Sequence, residues 1–227
     1  MSYNIAILGG TGQLGSGLAL RWAAAGETVI LGSRDPARAE KAAAGIRSRL
    51  DRPIQIEVGD YAGSTARADI VVLAVPFTAQ LPAMKTIRKS LKDGAILVDT
   101  TVPLAATIGG SLTRTVATWH GSAAQQIAEL APQGVPVVAT FHTIAAGRLQ
   151  DWPDPLESDV LITGDDPKAK SVVGQLIEKI PDLRCIDAGP LELARVTEQL
   201  TALLISIGKN YSAAGVGLRI TGIDSTG

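Results

Sequence analysis

An apolar run, Asn4-Ile5-Ala6-Ile7-Leu8, passes directly into Gly9-Gly10-Thr11-Gly12-Gln13-Leu14-Gly15, and from Leu14 apolar residues recur at helical spacing through Leu18 and Trp22. A buried strand, a glycine turn and a helix from Leu14 to Ala25 therefore follow one another. That order confines the chain to folds in which a parallel strand feeds a covering helix, the first half of a βαβ unit. Gly10 is expected to make the tight turn and Gly12 to let the backbone approach a pyrophosphate. Gly15 is expected to let the helix pack on the strand while its N-terminal N–H groups face the anion. Glycine-rich turns serve many folds; the strand before and the helix after are what make this one a dinucleotide fingerprint.

The next strand, Thr28-Val29-Ile30-Leu31, ends in Gly32-Ser33-Arg34. An acidic side chain at this place would hydrogen-bond the ribose 2′-OH of NAD. Here a hydroxyl and a guanidinium stand instead, with Arg38 one helical turn on, and a planar donor fork suits a 2′-phosphate. Asp35 precedes Pro36 and reads as an N-cap followed by the first helical residue, which occupies its carboxylate with backbone N–H groups. The cofactor expected is NADP(H). The competing account of Arg34 and Arg38 is a solvated surface pair.

The rest of the chain keeps alternating. Strands are expected at 54–58, 69–75, 95–99 and 135–141, with helices to Leu91 and over Ser122 to Leu130 between them. The runs at 69–75 and 135–141 are apolar without interruption, as in parallel strands buried on both faces. The fold class expected is a Rossmann-type α/β doubly wound parallel sheet with a small C-terminal α/β portion. Ligands of such sheets bind beyond the carboxyl ends of the strands, so Val75-Pro76-Phe77, Thr100 to Pro103 and His142 to Ala146 should converge on the nicotinamide. Residues 1–148 form the expected NADP-binding domain. Residues 149–227 form a smaller portion expected to cover the substrate site and to take part in oligomerisation. It begins at an irregular Trp152-Pro153-Asp154-Pro155 connection, then brings the strand 160–163, a helix over 167–180, a short strand over 184–187 and a long helix from Leu191 to Tyr211. That last helix is apolar nearly all round at Leu200, Leu203, Leu204, Ile205 and Ile207, which implies burial in the core or in a subunit interface. The glycines at 208, 215 and 217 end it in a turn or let a ligand approach.

The formal net charge of −1 leaves no basic stripe to neutralise phosphates, which argues against a nucleic-acid partner. The single cysteine, Cys185, permits no intrachain disulfide and reads as a packed thiol in a reducing compartment. The first strand starts almost at once and no apolar stretch reaches membrane-spanning length, so a cytoplasmic protein without a membrane partner is expected. Two histidines at unrelated positions offer no metal-ligand spacing, and no metal is expected. His120 reads as structural. Asp165 and Asp166, ahead of Pro167, read as helix caps before they read as a catalytic pair.

Taken together, GGTGQLGSGLAL, the GSR strand end, VP after the fourth strand, FHTIAAGR, ITGDD and DAGPLELAR resemble the NADP-dependent reductases of the deazaflavin coenzyme F420, over nearly the whole chain. The resemblance implies a homo-oligomeric enzyme that passes hydride between NADP(H) and the deazaflavin, and the apolar C-terminal helix makes a homodimer the simplest assembly. It implies that Thr11, Gly12, Gln13 and Leu14 cradle the pyrophosphate, that Ser33, Arg34 and Arg38 hold the 2′-phosphate, and that Val75, Pro76, Val102 and Ala146 line the nicotinamide. His142 and Ile144, with the turn Gly215-Val216-Gly217, would form the deazaflavin slot. Ala145 stands where some relatives have proline, and the loop carrying Trp152-Pro153 is this chain's own.

Hydride transfer between two flat rings asks the protein for stacking distance, orientation and exclusion of water, and needs no acid–base triad. His142 is the candidate catalytic residue, able to hydrogen-bond the ring or support charge on it, against the alternative of a packed histidine. Two other functions stay open at this point. One is an NADPH-dependent reductase of flavin or of a small imine or carbonyl substrate. The other is a non-catalytic NADP(H) sensor whose apolar C-terminal helix meets a partner protein.

Overall fold

A computed structural model describes residues 3–223; the outermost residues of the two expected portions, 1–2 and 224–227, lie outside the described residues. Eight strands form one sheet: β1 (Asn4–Leu8), β2 (Thr28–Gly32), β3 (Ile56–Gly59), β4 (Ile70–Leu73), β5 (Ile96–Asp99), β6 (Val137–Ala139), β7 (Ser158–Gly164) and β8 (Leu183–Asp187). Their spatial order is β3-β2-β1-β4-β5-β6-β7-β8. The first six run parallel, β7 pairs antiparallel with β6, and β8 runs parallel to β7. Strand order reverses between β1 and β4, which places the ligand crevice beyond the carboxyl ends of those strands. This is the doubly wound α/β sheet expected from the sequence.

The helices are α1 (Gln13–Ala24), α2 (Pro36–Arg47), α3 (Tyr61–Arg67), α4 (Phe77–Ile87), α5 (Ala123–Ala128), α6 (Ala146–Gln150), α7 (Pro167–Glu178) and α8 (Ala194–Asn210). Two apolar cores cover the two faces of the sheet. Ile5 and Ile7 of β1 join Leu18 and Trp22 of α1 and Val173 and Leu176 of α7 in one. Ala6 and Leu8 join Met84 and Ile87 of α4 and Ile127 of α5 in the other. Alternate residues of one strand thus feed opposite cores, the physical reason its sequence is apolar without a break.

Several elements end sooner than their apolar runs suggest. Ile54 and Gln55 precede β3, Val75 follows β4, Val135 precedes β6, and α4 stops at Ile87 instead of Leu91. Apolar content records burial, whereas a strand ends where its ladder ends. The segment from Leu191 begins as a 3-10 turn, Leu191–Leu193, before α8 proper. The face of α8 turned inward carries Ala194, Thr197, Glu198 and Ala202, while Val196 is 50% and Leu203 54% exposed. Its larger apolar residues, Val196, Leu200, Leu203, Leu204, Ile205 and Ile207, are therefore not core residues within this chain.

Asp166 caps α7 as expected, accepting from the N–H groups of Lys168 and Ala169 at 2.8 and 2.9 Å. Asp165 does not cap that helix; its carboxylate accepts from the N–H of Leu191 at 2.9 Å and holds the 3-10 turn. His120 lies exposed, two residues before the Ser122 cap of α5. Burial pushes the half-buried Cys185 thiol up to about 12, consistent with packing rather than reactivity.

Candidate active site

The glycine loop closes a tight turn in which the Gly10 N–H donates to the Ile7 carbonyl at 3.2 Å. The left-handed residue is Gly9, with φ +86°, and not Gly10. A Cβ on Gly9 would lie 2.4 Å from the Ala74 carbonyl oxygen, and one on Gly10 2.8 Å from Leu31 Cδ2. Gly10 is thus required for close packing over β2 and Gly9 for the turn. A Cβ on Gly15 would sit 2.6 Å from the Gly9 carbonyl oxygen, so α1 packs directly on the loop. Gly12 is the N-cap of α1 and supplies no side-chain bond, which leaves first-turn N–H groups to be satisfied from outside the helix. An uncapped helix start behind a glycine turn is a fitting seat for a pyrophosphate.

At the end of β2 the Asp35 carboxylate caps α2, accepting from the N–H groups of Ala37 and Arg38 at 3.0 and 3.2 Å. It is occupied there and not offered to a ribose. Ser33 is buried and its Oγ accepts from the Asp35 N–H at 3.1 Å. Ser33 and Arg34 border a cleft with Tyr61, Thr78 and Pro82, while Arg38 is exposed on the first turn of α2. Burial raises the Tyr61 phenol, and the neighbouring Arg34 guanidinium partly offsets that rise. A cation on the wall of a half-buried cleft suits an anionic group on a nucleoside.

Beyond β4, β5 and β6 the chain holds Val75, buried, Pro76, which caps α4, Val102, half-buried, and Ala146, the first residue of α6. Phe141, just before His142, takes a left-handed φ of +65° with its ring buried edge-on against Trp22 at 5.8 Å. The non-glycine strain there turns the chain out of β6 towards the ligand end.

Behind this wall lies a cluster that sequence spacing did not reveal. Asp99 at the end of β5, His142 after β6 and Glu198 on α8 are all buried, and one ligand-type atom of each lies within 4.8 Å of the others. His142 is thus not alone as an ionisable group at a strand's carboxyl end, since Asp99 closes the run Ile96-Leu97-Val98-Asp99. Gln80 Nε2 and Thr101 Oγ1 donate to Asp99 at 3.1 and 3.0 Å, and the Ala123 and Ala124 N–H groups donate to Glu198 at 3.0 and 3.1 Å. Burial raises Asp99 to about 7. It raises Glu198 to about 8, helped by the charge of Asp99, and lowers His142 to about 4. Thr197 Oγ1 lies 3.2 Å from His142 Nδ1, while Nε2 is buried without a partner among the described residues. The neutral ring is thus closely packed, only 5% exposed.

A second cavity opens beside α8. His142, Ile144 and Ala145 line it together with Thr201, Gly215 and Val216, and Gly217 borders an adjoining cleft with Arg148. The residues expected at the deazaflavin slot are brought together along these openings, directly before Ala146.

Fold and glycine loop define a Rossmann-type dinucleotide-binding protein. The family of coenzyme F420-dependent NADP oxidoreductases matches residues 4–103. The chain is 42% identical over 225 residues to the F420-dependent NADP reductase of Methanothermobacter thermautotrophicus, covering 98% of this chain and 97% of that one. It is 37% identical to that of Methanocaldococcus jannaschii, covering 97% and 99%. A solved structure from an Arthrobacter species, provisionally described as an F420-dependent NADP reductase, matches with a TM-score of 0.81 at 26% identity, over 97% of this chain and 100% of that one. A reductive aminase from Aspergillus terreus shares the fold alone, at a TM-score of 0.64 and 13% identity over 93% of this chain and 63% of that one. This chain belongs to the F420-dependent NADP reductase family.

Proposed function

We propose that this chain transfers hydride between NADP(H) and the deazaflavin coenzyme F420. The observation that supports the reading is a cavity bordered by Ile144, Ala145, Gly215 and Val216, on the segment leading into Ala146, in a chain 42% identical to an F420-dependent NADP reductase. Both reacting atoms come from the cofactors, one ring giving hydride and the other accepting it. The chain's own part is to bind, align and keep water out. N–H groups of Thr11 and Gly12 in the loop and of Gln13, Leu14 and Gly15 in the first turn of α1 neutralise the pyrophosphate, with Gly10 and Gly12 permitting the approach. Ser33, Arg34 and Arg38 take the 2′-phosphate. Val75, Pro76, Val102 and Ala146 form an apolar seat for the nicotinamide. Ile144 and Gly215 to Gly217 flank the second ring, and His142, held neutral by burial, positions that wall from behind.

Residues 1–148 serve as the nucleotide domain and 149–227 as the portion covering the second site, joined through β7 on β6. The chain works as a cytoplasmic homodimer; the exposed apolar side of α8 supports the dimer, and the lone packed cysteine supports a reducing compartment. No helix among the described residues is long and apolar enough to cross a membrane.

NADPH oxidation followed with purified coenzyme F420 and with FMN, side by side, tests the reading. Turnover with coenzyme F420 well above that with FMN is expected. Turnover with FMN alone makes the chain a flavin reductase, and NADPH binding without turnover on either makes it a sensor.

A further inference from the structure

The helix that starts at the glycine loop also grips the segment that walls the second cavity. Arg21 of α1 is fully buried, and no carboxylate pairs with it among the described residues. Its guanidinium donates to four backbone carbonyls: Leu149 at 3.1 Å, Asp154 at 2.7 Å, Arg148 at 3.2 Å and Asp151 at 2.9 Å. It also lies 5.3 Å from the centre of the Trp152 ring. A buried guanidinium is tolerated where its N–H groups are hydrogen-bonded, and since one segment supplies all four carbonyls, those bonds also fix that segment on α1. Gly17 lets the two elements touch, since a Cβ there would lie 2.5 Å from Leu149 Cβ.

A second grip reaches the nucleotide loop itself. Gln150 Nε2 donates to the Gln13 carbonyl and to Ser16 Oγ, each at 2.8 Å, and Ser16 Oγ donates to the Gly12 carbonyl at 2.7 Å. Gln150 ends α6, a helix of five residues without a side-chain cap. A single turn of that length has little stability of its own, so its order is borrowed from α1. From α6 the contact continues outward. A Cβ on Gly215 would lie 2.4 Å from Arg148 Cγ, which means that the Arg148 stem passes directly under the turn bordering the second cavity.

We propose that Gln150 is a positioning residue through which pyrophosphate binding at the first turn of α1 orders the wall of the second cavity. The proposal rests on NADP(H) binding at the glycine loop, as argued above. An anion on the N–H groups of Gln13 and its neighbours stiffens the first turn. Gln150 hangs on that turn by two hydrogen bonds, and α6 stiffens with it. The Gly215 turn then loses freedom before the second substrate arrives, so nucleotide binding lowers the ordering cost of the second binding step.

Hydrogen–deuterium exchange with and without saturating NADP+ tests this, on segments 9–17, 146–151 and 213–218 of the full chain. In the wild type NADP+ slows exchange in all three. In Gln150→Ala it slows 9–17 as before but leaves 146–151 and 213–218 nearly as fast as without nucleotide. Gln150→Glu, which cannot donate to the Gln13 carbonyl when ionised, behaves like the alanine variant. Both half-buried substitutions leave NADP+ affinity within about threefold, while KM for coenzyme F420 rises by about 5- to 20-fold, the range of an ordinary coupling. Equal protection of 213–218 in wild type and Gln150→Ala overturns the proposal, as does protection confined to 9–17 in the wild type. No protection of 9–17 in the wild type instead overturns the nucleotide reading on which it rests.

Discussion

Arg34 shows how much a single side chain can carry. It borders the cleft at the end of β2, and the nearest acid in sequence, Asp35, is occupied as a helix cap. Arg34→Ala is expected to weaken NADPH binding by about 1.5–3 kcal/mol, the range for hydrogen bonds to charged groups, and to leave NADH nearly untouched. Titration of both nucleotides checks it, and an unchanged preference in the variant would remove the 2′-phosphate from Arg34. The buried acids give a second residue-scale expectation. Asp99 and Glu198 stand at about 7 and about 8, above their unfolded values, so they favour the folded state most at low pH and that stability is lost as pH rises through the folded values. His142 works the other way, since its folded value of about 4 lies below the ordinary 6.5 and stability returns as pH rises between the two. Above pH 6.5 the carboxyl effect outweighs what is left of the histidine's. Stability should therefore fall by about 1–2 kcal/mol from pH 6.5 to pH 8, at roughly 2–4 °C of Tm per kcal/mol for a chain of this size. Glu198→Gln should remove most of the fall, because Glu198, at about 8, keeps its proton through more of that window than Asp99, at about 7; a Tm that rises over that window would show the cluster to be ionised.

At the scale of elements, the first turn of α1 is fixed by contacts no larger side chain tolerates. Gly15→Ala puts a Cβ against the Gly9 carbonyl and should lift α1 off the loop, weakening NADPH by about 1–3 kcal/mol, the usual cost of overpacking. Gly45→Ala is the contrasting case: it is exposed within α2 with nothing near its Cβ position, and should stabilise the fold by about 0.5–1 kcal/mol without touching nucleotide affinity. Calorimetry and nucleotide titration of the pair separate the two effects, and equal losses of affinity would void the contact argument. These same elements show which parts were legible in the sequence. The glycine loop and the Ser33–Arg34 strand end are local, so spacing alone located them and the cap at Asp35. The division of labour between Gly9 and Gly10 was not legible, because it depends on the Ala74 carbonyl and on Leu31, contributed by other strands. Asp99, His142 and Glu198 come from three distant elements, and nothing along the chain ties them together. Asp99 in particular ends an apolar run that identifies a strand and says nothing of its last side chain.

The largest scale turns on α8. Its composition announced burial, yet within one chain its inward face is built from Ala194, Thr197, Glu198 and Ala202. Leu200, Leu204 and Ile207 remain half-buried and Val196 and Leu203 are exposed. A helix that spends its polar residues on its own core and its leucines on the outside carries an interface pattern. Two-fold pairing is the simplest way to cover such a face, because one patch then meets itself and every residue acts twice. Thr201, Leu204 and Ile205 of the same helix line the second cavity, so the surface expected to pair two chains would also brace the place where the second substrate is proposed to lie. Light scattering at micromolar concentration should report twice the chain mass. Leu203→Glu places a charge in both copies of the contact and should yield folded monomers, since this side chain touches water and not the core. Those monomers should keep NADPH affinity, because the residues proposed to hold the nucleotide, the glycine loop and Ser33, follow β1 and β2 and do not belong to α8. They should show a raised KM for coenzyme F420, because α8 loses the support that holds its cavity-lining residues in place. A wild-type monomer would leave the leucines of α8 without a covering partner and sink the dimer; a dimeric Leu203→Glu would move the contact to another surface.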